Sequence, residues 1–161
     1  TTINSNVSEV ILVTGADCEQ VESAVEGLPI IIKRNPCWKE GVSTSIRTGV
    51  QATLKKSGAA VFILADQPYL PSALIDRLID RHSMDLPSIV VPQVLSEHAN
   101  PVLFDKRTFP DLLSLHGDIG GRQLFSRYQP TFIPWEDERL GMDIDSPDDY
   151  EKLQKEIHAK L

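Results

Sequence analysis

Short aliphatic runs alternate with longer stretches of helical periodicity along this chain, and that alternation restricts its architecture more than any other feature. Val10 to Val13, Ile30 to Ile32, Val61 to Leu64, Ile89 to Val91 and Pro101 to Phe104 read as strands, and Thr131 to Trp135 as extended chain. Between them lie helical signals. Asp17 is placed as a cap with Gln20 as its capping-box partner, and Val21, Ala24, Val25 and Leu28 as the buried stripe that follows. Ser43 is placed as the next cap, ahead of Ile46, Val50 and Leu54. Pro71 suits a helix start because its missing N–H loses no partner there, and Leu74, Ile75, Leu78 and Ile79 give the inner face. Two short helical segments are expected near Arg107 to Leu115 and after Asp118. Ser146, Pro147 and Asp149 mark the last helix start, followed by the stripe Tyr150, Leu153 and Ile157. Strands separated by helices of this length predict a three-layer, Rossmann-like α/β domain, with a mainly parallel sheet covered by helices on both faces.

At 161 residues the chain is one domain with room for a proper core. A formal charge of −7 argues against a nucleic-acid partner bound through a broad basic surface, yet permits an anionic substrate if a metal supplies local positive charge. No apolar run approaches membrane-spanning length, so no membrane partner is expected. Cys18 and Cys37 lack metal-ligand spacing and read as free thiols of a cytoplasmic protein. The four histidines are scattered and form no ligand pair. The chain begins at Thr1, close to a strand, which suggests a processed or partial polypeptide.

Four places offer chemistry. The run Val61-Phe62-Ile63-Leu64 reads as a fully buried parallel strand leading into Asp66-Gln67-Pro68. A carboxylate at a strand's carboxyl end faces the ligand crevice of an open sheet and can hold a hard cation on a phosphate; it can equally be turn chemistry before Pro68. Asp143 and Asp145, two residues apart, point to one side if the segment is extended, and one of them can join Asp66 on Mg²⁺. Alternatively they are acids at a helix start, favoured by its dipole. The loop Asn35 to Ser45, with Gly41 before small hydroxyl residues, offers close backbone approach and free N–H groups, or is an ordinary connection plugged by Trp38. Gly117-Asp118-Ile119-Gly120-Gly121-Arg122 exposes backbone amides beside a phosphate-binding arginine, or is a helix start with a surface Arg. No Ser elbow or Cys/His pair suggests nucleophilic catalysis.

Taken together and in this order, five groups of residues resemble a known family. They are Asn35-Pro36 and Trp38 with Gly41, Ser43, Ser45 and Gly49; Leu64-Ala65-Asp66-Gln67-Pro68; Asn100-Pro101-Val102-Leu103-Phe104; Gly117-Asp118 with Gly120, Gly121 and Arg122; and Asp143-Ile144-Asp145-Ser146-Pro147 with Asp149. The chain is similar to the molybdenum cofactor cytidylyltransferases, within the nucleotidyltransferase-like proteins. The resemblance implies a GT-A-type fold and Mg²⁺-dependent transfer of a cytidylyl group from CTP to a molybdopterin-type cofactor, with release of pyrophosphate. It makes Asp66 and Asp145 the catalytic metal ligands, with Asp143 as substitute. It places Gly41, Ser43, Ser45 and Asp66 at the nucleotide, and Asn100, Gly117, Asp118, Gly120 and Arg122 on the acceptor side. A molybdenum hydroxylase or its maturation factor would be the partner.

The resemblance has one departure. Family members open with a strand and a glycine-rich loop that wraps the triphosphate, so residues 1–161 are expected to lack that first βα unit of about 30 residues. Two other readings stay open: an inactive cofactor-binding or delivery protein of the same fold, and a transferase using GTP or a sugar nucleotide.

Overall fold

The computed structural model describes residues 1–53 and 57–158. In chain order the elements are β1 (Ile11–Thr14), α1 (Cys18–Ala24), β2 (Ile31–Arg34), α2 (Val42–Thr53), β3 (Ala59–Phe62), α3 (Ser72–Asp85), β4 (Ile89–Val94), β5 (Glu97–His98), β6 (Val102–Asp105), α4 (Phe109–Leu113), β7 (Thr131–Pro134) and α5 (Pro147–His158). Single 3-10 turns precede α2 and α4, and others lie at Gly121–Ser126 and Glu138–Gly141. The alternating order expected from the sequence is present. Leu54 lies outside the described residues.

The expectation of a mainly parallel sheet is overturned. Among the described residues the principal sheet runs β3-β6-β4-β5, with β7 joined to β4, and only the β4–β7 pairing in it is parallel; β3–β6, β6–β4 and β4–β5 are antiparallel. The cause lies between β4 and β6. A parallel return needs a crossover of about a dozen residues or more. Here Leu95 and Ser96, both at positive φ (49° and 72°), turn the chain tightly into the two-residue β5. The chain then re-enters as β6, antiparallel, between β3 and β4.

The two faces of this sheet follow from alternation along β4 and β6. Ile89, Val91, Val102 and Phe104 join Val50, Phe109, Leu112 and Leu124 in one cluster, while Val90 and Leu103 join Leu74, Ile75, Leu78, Ile133 and Leu140 in the other. Helices therefore cover both faces, as expected. The inner face read for α3 is largely realised: Leu74, Ile75 and Leu78 are fully buried and Ile79 packs partly against them. At fully buried positions like these, each aliphatic side chain contributes roughly 1.5–3 kcal/mol.

The β1–β2 pair forms a separate two-stranded parallel sheet. Among the described residues β1 pairs only with β2, and β3 only with β6, so each has one open edge. α2 lies against both sheets: Val50 is in the first core cluster, and Gly49 faces Val13, whose Cγ2 would lie 3.5 Å from a Cβ there. This split leaves two elements less buried than their apolar residues suggest. β3 is half-buried throughout rather than fully buried, because it is an edge strand paired antiparallel. The expected stripe of α1 is also not buried: Val21, Ala24 and Leu28 are exposed, since that helix has only a two-stranded sheet to cover. The Asp17–Gln20 capping box does not form. Asp17 sits at φ 50° and its side chain makes no cap hydrogen bond; its carbonyl accepts from Gln20 N and Val21 N.

Candidate active site

Asp66 lies on the loop that leaves β3, four residues past Phe62. The loop is held on its far side by buried Leu70 and by Pro71, which caps α3 at a β-region conformation rather than opening it as first residue. A second acidic loop is fixed by Leu140, which is 1% exposed in the turn Glu138–Gly141. Hydrogen bonds join these loops. Ile144 N donates to the Asp66 carbonyl at 2.9 Å, and Gln67 Nε2 donates to Asp143 Oδ1 at 2.8 Å. The backbone of Asp66 thus lies against the residue between Asp143 and Asp145. All three carboxylates are exposed. The segment ends as read from sequence: Ser146 Oγ accepts from Asp149 N and donates to Asp149 Oδ2 at 2.6 Å, and α5 begins at Pro147.

Among the described residues no three His, Cys, Asp or Glu side chains are grouped to hold a metal by themselves. The donor set fits a hard cation of the Mg²⁺ type, which takes one or two carboxylates and completes its shell with substrate phosphates and water. It does not fit an all-protein metal centre.

The other expected groups fall in two places. Gly41, Ser43 and Ser45 meet Gly117 and Asp118 in one junction. Gly41 adopts φ +108°, and a Cβ there would lie 2.3 Å from the carbonyl carbon of Gly117. Ser43 N donates to Gly117 O at 3.2 Å and Val42 N to Asp118 Oδ1 at 3.2 Å. The N–H groups expected to be free at the start of α2 are therefore occupied by the chain itself. Asn35, 3% exposed, braces the junction by donating to Thr44 Oγ1 and Ser45 Oγ at 2.8 and 3.0 Å and accepting from Cys37 N. Ser43 is a buried residue inside α2 rather than its cap, and its Oγ has no partner among the described residues.

Asn100 and Arg122 instead line a cavity of about 470 Å³ beneath the β4–β5 turn, together with Gln67, Glu97, His98 and Asp143. The cavity wall is firm. His98 stacks on Phe132 at 4.7 Å between ring centres, and Arg122 Nη2 donates to His98 O at 3.3 Å. Gly120 precedes the 3-10 turn that carries Arg122. Asp143 is thus at once a neighbour of the Asp66 loop and a lining residue of the cavity. Gln67, Glu97, His98 and Glu138 were not singled out as site residues in the sequence; for Gln67 the signal was its place beside Asp66, while the others belong to no local pattern.

The model of the MobA-like NTP transferase domain matches residues 1–131. Among curated proteins, nicotine blue oxidoreductase of Paenarthrobacter nicotinovorans is 30% identical over 155 residues, which cover 90% of this chain and 74% of that protein. Among solved structures, the Rv0371c complex with manganese from Mycobacterium tuberculosis H37Rv superposes with a TM-score of 0.79 at 23% identity, covering 94% of this chain and 79% of that one. Molybdopterin-guanine dinucleotide biosynthesis protein A from Archaeoglobus fulgidus superposes with a TM-score of 0.68 at 15% identity, over 94% and 79% of the two chains. At these identities the two structures speak for the fold. No helix among the described residues is long and apolar enough to cross a membrane.

Proposed function

This chain belongs to the MobA-like NTP transferase domain family, and we propose that it moves a cytidylyl group from CTP to a molybdopterin-type cofactor, with Mg²⁺ and with release of pyrophosphate. The observation that carries this reading is the joining of the Asp66 loop to the Asp143–Asp145 loop at the mouth of the cavity that holds Asn100 and Arg122. Carboxylates beside an acceptor-sized cavity are what in-line transfer between two anionic substrates requires.

In the proposed reaction an oxygen of the acceptor's phosphate attacks the α-phosphorus of CTP, and the bond from that phosphorus to the β-phosphate oxygen breaks. A divalent cation would neutralise the charge that develops on the phosphoryl oxygens and the leaving pyrophosphate. Asp66 and Asp145 would hold it. Asn100 and Arg122 would orient the acceptor, Arg122 through a guanidinium suited to bidentate contact with phosphate. Gly41, Ser43 and Ser45 would frame the nucleotide side, through backbone shape more than free donors, and Gly117, Asp118 and Gly120 would border the acceptor with Arg122.

The outer phosphates would need a cradle of backbone N–H groups and a cationic side chain. We place it on a further strand and glycine-rich loop, with the strand between the open edges of β1 and β3 above α2. The manganese in the Rv0371c complex and the molybdopterin-guanine chemistry named for the A. fulgidus protein support the metal and acceptor classes. The Asp-Gln-Pro form of the central motif favours CTP over GTP by resemblance. The test is pyrophosphate release from CTP with molybdopterin-type cofactor and Mg²⁺ by a chain that carries the strand and glycine-rich loop, with GTP in parallel; release from GTP alone, or from neither, by that chain overturns the assignment. Cofactor binding without release is the outcome that the delivery-protein reading requires.

A further inference from the structure

Gln67 is the side chain through which the two acidic loops hold each other. Asp66 beside it is exposed, yet Gln67 is only 9% exposed and lines the cavity. Its Nε2 donates to Asp143 Oδ1 at 2.8 Å, and its buried Oε1 has no partner among the described residues. A buried amide with one hydrogen bond made and its other end unpaired is fixed by that one bond. One Asp143 carboxylate oxygen is committed with it to a neutral donor on the cavity wall, while the side chain itself is exposed. Asp66 and Asp145, by contrast, make no side-chain hydrogen bond among the described residues.

We propose that Gln67 is the positioning residue of this site: it holds Asp143 to the cavity and leaves the cation to Asp66 and Asp145. The proposal rests on the functional reading above and deepens it. Spacing alone leaves Asp143 and Asp145 equivalent, since two carboxylates two residues apart on an extended segment face the same side. The Gln67 amide breaks that equivalence. Releasing it frees Asp143 to take the place of Asp145, because the two belong to one loop held at Ile144 against the Asp66 carbonyl.

The test uses Mn²⁺ as the probe, titrated by electron paramagnetic resonance into the full-length protein with CTP present, so that turnover is not needed. Asp145→Asn should weaken Mn²⁺ binding by about tenfold, the scale on which individual groups around a metal act. Adding Gln67→Leu to Asp145→Asn should recover most of that loss, and adding Asp143→Asn as a third change should abolish the recovery. Gln67→Met, closer in shape to glutamine, repeats the measurement if the leucine variant loses its thermal transition. A double variant that binds Mn²⁺ no more tightly than Asp145→Asn overturns the positioning role while leaving the functional reading intact. If Asp66→Asn alone leaves Mn²⁺ binding unchanged, the cation sits elsewhere and both fall.

Discussion

Gly41 and Gly117 are in backbone contact with no space between them: a Cβ on Gly41 would lie 2.3 Å from the carbonyl carbon of Gly117 and 2.6 Å from the nitrogen of Asp118. The contact brings two loops that are distant in sequence into one junction, with Ser43 N and Val42 N donating across it. Both glycines have positive φ, +108° and +65°, which disfavours any L side chain.

Gly41→Ala should therefore destabilise the protein by about 3 kcal/mol, from backbone strain together with a clash against main chain that cannot rotate away. Gly117→Ala, with open space around its Cβ, should cost only the strain, about 1 kcal/mol. Denaturant midpoints rank the two. Equal losses would mean that the junction opens to admit the methyl group.

Asp66→Asn in the full-length protein should abolish CTP-dependent turnover and leave the thermal transition in place. The side chain is exposed and makes no hydrogen bond of its own among the described residues, so its loss removes a charge rather than a support. Near wild-type kcat at saturating Mg²⁺ would place the metal elsewhere.

Residues 1–161 alone should bind CTP·Mg²⁺ poorly and show no cytidylyl transfer, whereas a chain extended by a strand and glycine-rich loop should do both. The first N–H groups of α2 are taken by Gly117 and Asp118, and the protein carries a net charge of −7, so the outer phosphates meet little compensation. Calorimetry on the two polypeptides decides it; equal affinities would mean the nucleotide sits at a different place.

Away from the site, Asp105 should make stability acid-sensitive. It is 5% exposed, accepts from Arg107 N and Arg107 Nε at 2.9 and 2.7 Å, and lies 2.9 Å from His82 Nε2. Burial alone would raise its pKa, but the hydrogen bonds from Arg107 and His82 outweigh that and hold it below the ordinary carboxylate value. A depressed folded-state pKa contributes stability above the unfolded value, and this is lost as pH falls through the folded one. Asp105→Asn should cost about 2 kcal/mol near neutral pH, since charge-assisted hydrogen bonds are lost. The gap in Tm between the two proteins should close below about pH 3. A gap that persists unchanged in acid would assign the loss to packing.

The sequence by itself determined the elements and several of their ends. The periodicity of Leu74, Ile75 and Leu78 and the Ser146–Asp149 box are local in the chain, and local signals survive folding because they depend on neighbours only a turn away. It also determined the family, through motifs whose order spans the chain. Tertiary structure alone decided how the strands pair and which groups meet. β6 enters antiparallel between β3 and β4, and that placement depends on a tight turn at Leu95 and Ser96 rather than on the strands' own residues, which would read the same in either direction. The free amides expected at Gly41 to Ser45 were filled by Gly117 and Asp118, across 74 and 76 residues, and Gln67 reached Asp143 across 76. Contacts at such separation leave no periodic trace, because the geometry that makes them belongs to the packed sheet and its loops and not to any one segment.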